Sequence, residues 1–144
     1  MRSTSASSLA KRHRRFGWTL LFVYLLFGYT LEAFEGFKAE SFVLDAIRRE
    51  FWSLAHFHGA LLGLLNIVYA PRAEPEGMSA ASARRASASL IAGSVGLPLG
   101  FFLGGLVHHE GEPGAGIFLV PVAALFLLYA VGAQAAAAWR SRGA

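Results

Sequence analysis

Four apolar runs, each long enough to cross a lipid bilayer, constrain this chain more than any other feature. They occupy residues 16–34, 52–70, 89–108 and 117–138. A hydrocarbon core of ~30 Å takes ~20 helical residues to span. Inside lipid every backbone N–H and C=O must find a partner within the protein, so only helices and closed barrels cross it. None of the four runs alternates polar and apolar residues as a barrel strand does. The expected fold is therefore all-α, a bundle of four transmembrane helices. With 55% apolar and 15% charged residues in 144, the chain is greasier than an ordinary soluble domain, and it has room for one compact domain. Cysteine is absent, which excludes disulfides, Fe–S clusters and thiol catalysis.

The basic residues set the expected orientation. Arg2, Lys11, Arg12, Arg14, Arg15, Arg72, Arg84, Arg85, Arg140 and Arg142 fall on one side of the bundle, and only Lys38, Arg48 and Arg49 on the other. The positive-inside rule puts both termini in the cytoplasm, N-in and C-in. Trp18, Trp52, Tyr69 and Trp139 sit near span ends, where aromatic belts form. The net charge of +4 lies beside apolar runs, a placement suited to anionic lipid headgroups rather than nucleic acid. A bacterial inner membrane is the expected location.

Between the spans, composition predicts three looser segments. Residues 1–15, Ser-rich and basic, read as a disordered cytoplasmic tail before a membrane domain over 16–138, with a second cytoplasmic tail over 139–144. Leu31-Glu32-Ala33-Phe34-Glu35 lacks a small-x-small cleavage pattern, so the first span reads as an uncleaved anchor. In residues 36–51, Phe42, Val43, Leu44, Ile47 and Phe51 interleave with charges at helical spacing, predicting a short amphipathic helix on the outer surface. The linker 71–88, rich in Ala, Ser, Glu and Gly, reads as mobile.

Soluble-enzyme signatures are absent: there is no Gly-x-x-x-x-Gly-Lys loop, Gly-x-Ser-x-Gly elbow or His-Glu-x-x-His helix. Ionisable groups within spans mark functional candidates, because lipid makes them expensive. His56 and His58 open the second span, His108 and His109 close the third, and Glu32, Glu35 and Glu110 lie at the same outer level. At 100° per residue His56 shares a stripe with Gly59, Gly63, Asn66 and Ala70 that suits a helix interface. His58 points about 200° away, with Leu62, Leu65 and Tyr69, and is expected to meet lipid or headgroups. Gly96, Gly100 and Gly104 form a packing groove topped by His108, and Pro98 should kink the helix. Tyr24, Gly28, Glu32 and Glu35 make a comparable face on the first span. Asn66 reads as interhelical glue, and Gly132 with Ala136 as a small packing or oligomer face.

Two chemistries fit the outer histidines. One is a structural polar network. The other is a cofactor site: haem b between His56 and His108, or a divalent metal on His56, His108, His109 and Glu110. A small transporter would want a deep charged residue or paired broken helices, hinted at only by Pro98 and Pro121. The segments Leu31-Glu32-Ala33-Phe34-Glu35-Gly36-Phe37-Lys38 and Trp52-Ser53-Leu54-Ala55-His56-Phe57-His58-Gly59 resemble small four-helix bacterial membrane proteins of uncharacterised activity. Gly104-Gly105-Leu106-Val107-His108 and Pro113-Gly114-Ala115-Gly116-Ile117 extend that resemblance over roughly residues 16–138. His-x-His-Gly in a span is also similar to segments of haem–copper-oxidase-like and nitric-oxide-related membrane proteins, which implies haem or metal at such histidines. The favoured expectation is a non-catalytic component of the lipid bilayer, working as a homo-oligomer or in a larger complex. The basic asymmetry makes a direct prediction: an alkaline phosphatase fused after Gly111 is active, and one fused after Gly143 is inactive. The reverse pattern would invert the topology.

Overall fold

Leu9 and His13, one helical turn apart, carry the first helix well beyond its apolar run. In the computed structural model, which describes residues 2–75, 78–109 and 111–140, helix α1 is Arg2–Gly36. Leu9 and His13 are buried while Lys11, Arg14 and Arg15 stay exposed. The disordered tail expected over 1–15 is thus corrected. Ala and Ser there tolerate a helix, and one buried face gives it a reason to persist.

A short helix, α2 (Glu40–Val43), follows, and then α3 (Ala46–Tyr69). The Asp45 carboxylate caps α3 by accepting the Arg48 backbone N–H at 2.9 Å. The last six residues of the expected surface segment, from Ala46 to Phe51, are therefore the first turns of α3. Phe42 is 2% exposed, packed between Phe34 and Trp52 rather than laid on lipid. After a 3₁₀ turn (Ala70–Arg72), helix α4 runs Ala80–Leu106 from an N-cap at Ser79. Its first two turns absorb much of the linker expected to be mobile, and Ala83, Ala86 and Ser87 there are buried. A second 3₁₀ turn (Ala115–Phe118) leads into α5 (Leu119–Arg140). Four helical stretches are long and apolar enough to cross a membrane: Ser8–Gly36, Ala46–Arg72, Ala80–Leu106 and Ala115–Arg140.

The four long helices pack antiparallel in the order α1, α3, α4, α5, so both described ends of the chain lie at one end of the bundle, here the terminal end. The opposite, loop end carries the α1–α3 and α4–α5 connections. Among the described residues α1 has no close backbone approach to α5, nor α3 to α5. The bundle is a row, with α3 and α4 in the middle.

Glycines set the spacing within this row. A Cβ on Gly63 would lie 2.7 Å from the Leu21 nitrogen and 3.0 Å from the Gly17 carbonyl oxygen, so α1 and α3 touch backbone to backbone. On α4, a Cβ at Gly93 would meet Leu127 at 2.6 Å, one at Gly96 would meet Ala123 at 3.0 Å, and one at Gly100 would meet Val120 at 2.8 Å. Lipid offers helices no hydrophobic reward for associating, so close packing at small residues takes over that role. Gly104 faces Phe51 of α3 and the backbone of Ile117, which fill the groove expected beneath His108.

The middle position of α3 corrects one sequence-level reading. Gly59 and Gly63 face α1, as a small stripe should. The opposite stripe does not meet lipid, because α4 covers it: Leu62 is 5% and Tyr69 7% exposed, and His58 stacks on Phe101 at 5.0 Å. Trp18 and Trp139, at 58% and 74% exposed, do face outward. Gly100→Leu should force α4 and α5 apart and lower stability in detergent by about 1–3 kcal/mol. Leu125→Ile, at an outward-facing position, should change it by less than about 0.5 kcal/mol. Equal tolerance in a thermal unfolding series would show that the α4–α5 contact is not held at the glycines.

Candidate functional site

The loop end holds most of the ionisable residues that the sequence singles out, and the structure divides them. The His56 ring lies flat against Gly28, where any larger residue would collide with it. Its Nδ1 donates to the Tyr24 carbonyl at 2.7 Å, tying α3 to α1. His56 shares a cleft of about 410 Å³ with Glu32, Glu35 and Ser53. The Glu35 carboxylate is 3.7 Å from the Arg49 guanidinium, an exposed pair of small energetic weight.

His58 lies on the other side of α3. Its Nδ1 donates to the Leu54 carbonyl of its own helix at 2.8 Å. His108 does not top a helix, because α4 ends at Leu106. Its Nε2 is 2.8 Å from Asp45 Oδ2, and its Nδ1 faces the His109 carbonyl at 3.2 Å. Burial works to raise the Asp45 carboxyl, but it is overridden by the Arg48 backbone N–H, the hydrogen bond and charge of His108, and the Arg48 guanidinium. The carboxyl is held below its ordinary range. Arg48 also donates to the Ser41 and Gly105 carbonyls, at 2.6 and 3.3 Å. Asp45, Arg48 and His108 thus lock the α2–α3 corner onto the end of α4. His109 pairs through its backbone with Glu112, and Glu110 lies outside the described residues. His56 and His108 serve different corners, and among the described residues no three His, Asp or Glu side chains come together as a metal site.

The terminal end holds a polar centre of which the sequence reading found only Asn66, whose expected role as interhelical glue the structure bears out. His13, Asn66, Ser87 and Ser94 all have 0% exposure. The Asn66 amide donates to the Leu62 carbonyl and to Ser94 Oγ, each at 2.8 Å. Its oxygen therefore faces His13 Nδ1, 2.7 Å away, which donates to it. His13 Nε2 lies 2.6 Å from Ser87 Oγ, which also accepts from the Arg12 guanidinium at 2.5 Å. A hydroxyl that accepts from Arg12 can give its own proton to the imidazole. Each ring nitrogen then has one matched partner. Tyr69 closes the centre with an edge-on ring contact to His13 at 4.5 Å.

Serine, histidine and asparagine in this order have the connectivity of a nucleophile, a base and its orienting group. The surroundings do not suit that chemistry. Ser87 and His13 are sealed from solvent, and the Arg12 guanidinium occupies the serine oxygen. The arrangement instead joins α1, α3 and α4. One sequence signal could have revealed it: Leu9, His13 and Gly17 repeat at four-residue spacing, extending the helical period back from the first span. Ser87 and Ser94, two turns apart on α4, give the matching polar stripe.

Fold and site together define an all-α bundle of four membrane-length helices with polar locks at both ends. In comparisons with protein families, curated proteins and solved structures, nothing matches this chain. His13→Ala strands the Asn66 oxygen and the Ser87 hydroxyl in the core, and should cost about 1–3 kcal/mol. Combined with Asn66→Ala, the loss should fall short of the sum of the two single losses. Strict additivity in detergent unfolding, or a loss no larger than that of the exposed Arg14→Ala, would remove the network from the account of stability.

Proposed function

We propose that this chain is a non-catalytic multi-pass component of a bacterial inner membrane, N-in and C-in, that works by assembly with copies of itself or within a larger complex. One observation carries the reading: the histidines and Asn66 within the helices are spent on hydrogen bonds within and between helices. His13 and Asn66 link three helices, His56 holds α3 on α1, and His58 bonds its own helix. A haem or metal held by His56 and His108 together would have to break the Asp45–His108 contact and bring two separate corners to one point. The surface left for partners includes the outer face of α5. There Gly132, Ala135 and Ala136 are exposed, and a Cβ on Gly132 would touch nothing within 4 Å. Small residues at this spacing allow close helix approach in lipid.

Two measurements on one preparation test the proposal. Protein expressed with haem precursor and metals supplied should be colourless and free of stoichiometric metal. A haem absorption band or one-to-one metal, lost in both His56→Ala and His108→Ala, would overturn the non-catalytic reading. Native mass spectrometry from nanodiscs should show an assembly that Gly132→Leu weakens. A wild-type chain that is monomeric and free of partners would overturn the assembly reading.

A further inference from the structure

The row arrangement leaves a cleft at the terminal end between α3 and α5, floored by Leu90 of α4. It measures about 180 Å³, and its walls include Leu65, Val68, Ala130 and Val131. An apolar cavity of ~150 Å³ is already large enough to take a small hydrocarbon. The cleft changes character at one end. Arg72 and Gln134 lie there, and the Gln134 amide donates to the Arg72 carbonyl at 3.2 Å. Tyr69 lines the same cleft, is 7% exposed, and its buried hydroxyl has no hydrogen-bond partner among the described residues. Gln134 lies beside that hydroxyl but forms no hydrogen bond of ordinary geometry with it, and one N–H of its amide goes to the Arg72 carbonyl. A buried hydroxyl without a partner costs about 1–3 kcal/mol, a penalty that an incoming acceptor would relieve.

We infer that this cleft is a binding site for an anionic phospholipid of the surrounding bilayer. Part of an acyl chain lies along Leu65, Val68 and Val131, and the phosphate reaches Arg72, with the Tyr69 hydroxyl as a second donor once the Gln134 side chain shifts. Three observations converge on that occupant. The walls are apolar, which suits hydrocarbon. The head of the cleft offers a guanidinium and a hydroxyl lacking an acceptor, which suits a phosphate ester. Val68 and Val131 on its rim are 60% and 50% exposed on two helices of membrane length, where lipid is the neighbouring solvent. Basic pockets between membrane helices recognise anionic headgroups by this combination. The inference stands apart from the assembly reading, since it concerns one chain and its lipid.

The test uses full-length protein in a neutral detergent, titrated with phosphatidylglycerol or with phosphatidylcholine of the same acyl chains, with thermal unfolding as readout. Phosphatidylglycerol should stabilise at lower concentration. Arg72→Gln should weaken its apparent affinity roughly five-fold, the equivalent of one charge contact, while Arg85→Gln removes an equal charge outside the cleft and should not. Val131→Phe, entered from the open side of the cleft, should abolish the stabilisation by phosphatidylglycerol. Tyr69→Phe should leave the lipid-free protein at least as stable while reducing the gain from phosphatidylglycerol. The site would be overturned by equal response to both lipids, by equal loss in Arg72→Gln and Arg85→Gln, or by undiminished stabilisation of Val131→Phe or Tyr69→Phe.

Discussion

Asn66 sits where three helices meet, and the terminal half of the bundle depends on its two ends pointing in opposite directions. Its amide nitrogen reaches Ser94 on α4 and its oxygen reaches His13 on α1. The packing around it cannot supply that specificity alone. Glycine contacts such as Gly17 against Gly63 let helices approach closely, but smooth surfaces of small residues also permit sliding by a turn. A slide of α1 along α3 would pull His13 off Asn66 and leave the Asn66 oxygen and His13 Nδ1 unpaired in a medium without water. Close packing gives the row its spacing. The hydrogen bonds give it a register.

The loop end applies the same logic with charges. Asp45 caps α3, meets His108 and pairs with Arg48 at 3.5 Å, while Arg48 reaches across to the carbonyl of Gly105. Trp52 adds an indole N–H to the Phe102 carbonyl at 3.1 Å, and its ring stacks on Phe102 at 5.4 Å. Charges suffice here because this corner lies where the chain turns. The lock at His13 is deeper and uses groups that can be satisfied without net charge. Both ends fasten α3 to α4. The two outer helices are held more lightly: only 17% of the most apolar window of α1 and 11% of that of α5 is buried.

The four membrane-length helices were legible because lipid imposes one requirement on every backbone group, and long apolar runs answer it in one way. Residues 8–15 and 80–88 were illegible for a related reason. Their helices rest on a few tertiary contacts, His13 to Asn66 and Ser87 to His13, and composition weighs all the serines and arginines there equally. That His56, His58, His108 and His109 fall toward the loop end of the bundle was legible from their places in the runs. Their directions were not, since periodicity gives the angle between His56 and His58 but not which neighbour covers each side. A helix in the middle of a row has two covered faces. Reading His58, Leu62 and Tyr69 as lipid-facing assumed that it had one.

The row also explains why a cleft exists beside Tyr69 at all. In a closed bundle α5 would return against α1, and the space over Leu90 would fill with protein side chains. Here α5 follows α4 and has no close backbone approach to α3 among the described residues, and the Gln134 amide, reaching to the Arg72 carbonyl just past α3, closes one end of that space. Water would satisfy the Tyr69 hydroxyl if it could enter, yet the walls are apolar and the exposed rim, Val68 and Val131, lies on helices of membrane length. Among the described residues the phenol makes no hydrogen bond of ordinary geometry, so its hydroxyl adds little there that a phenylalanine would lack. Its hydroxyl gains a purpose only from something that arrives through the mouth carrying an acceptor, and in a bilayer the abundant molecule of that description is a phospholipid.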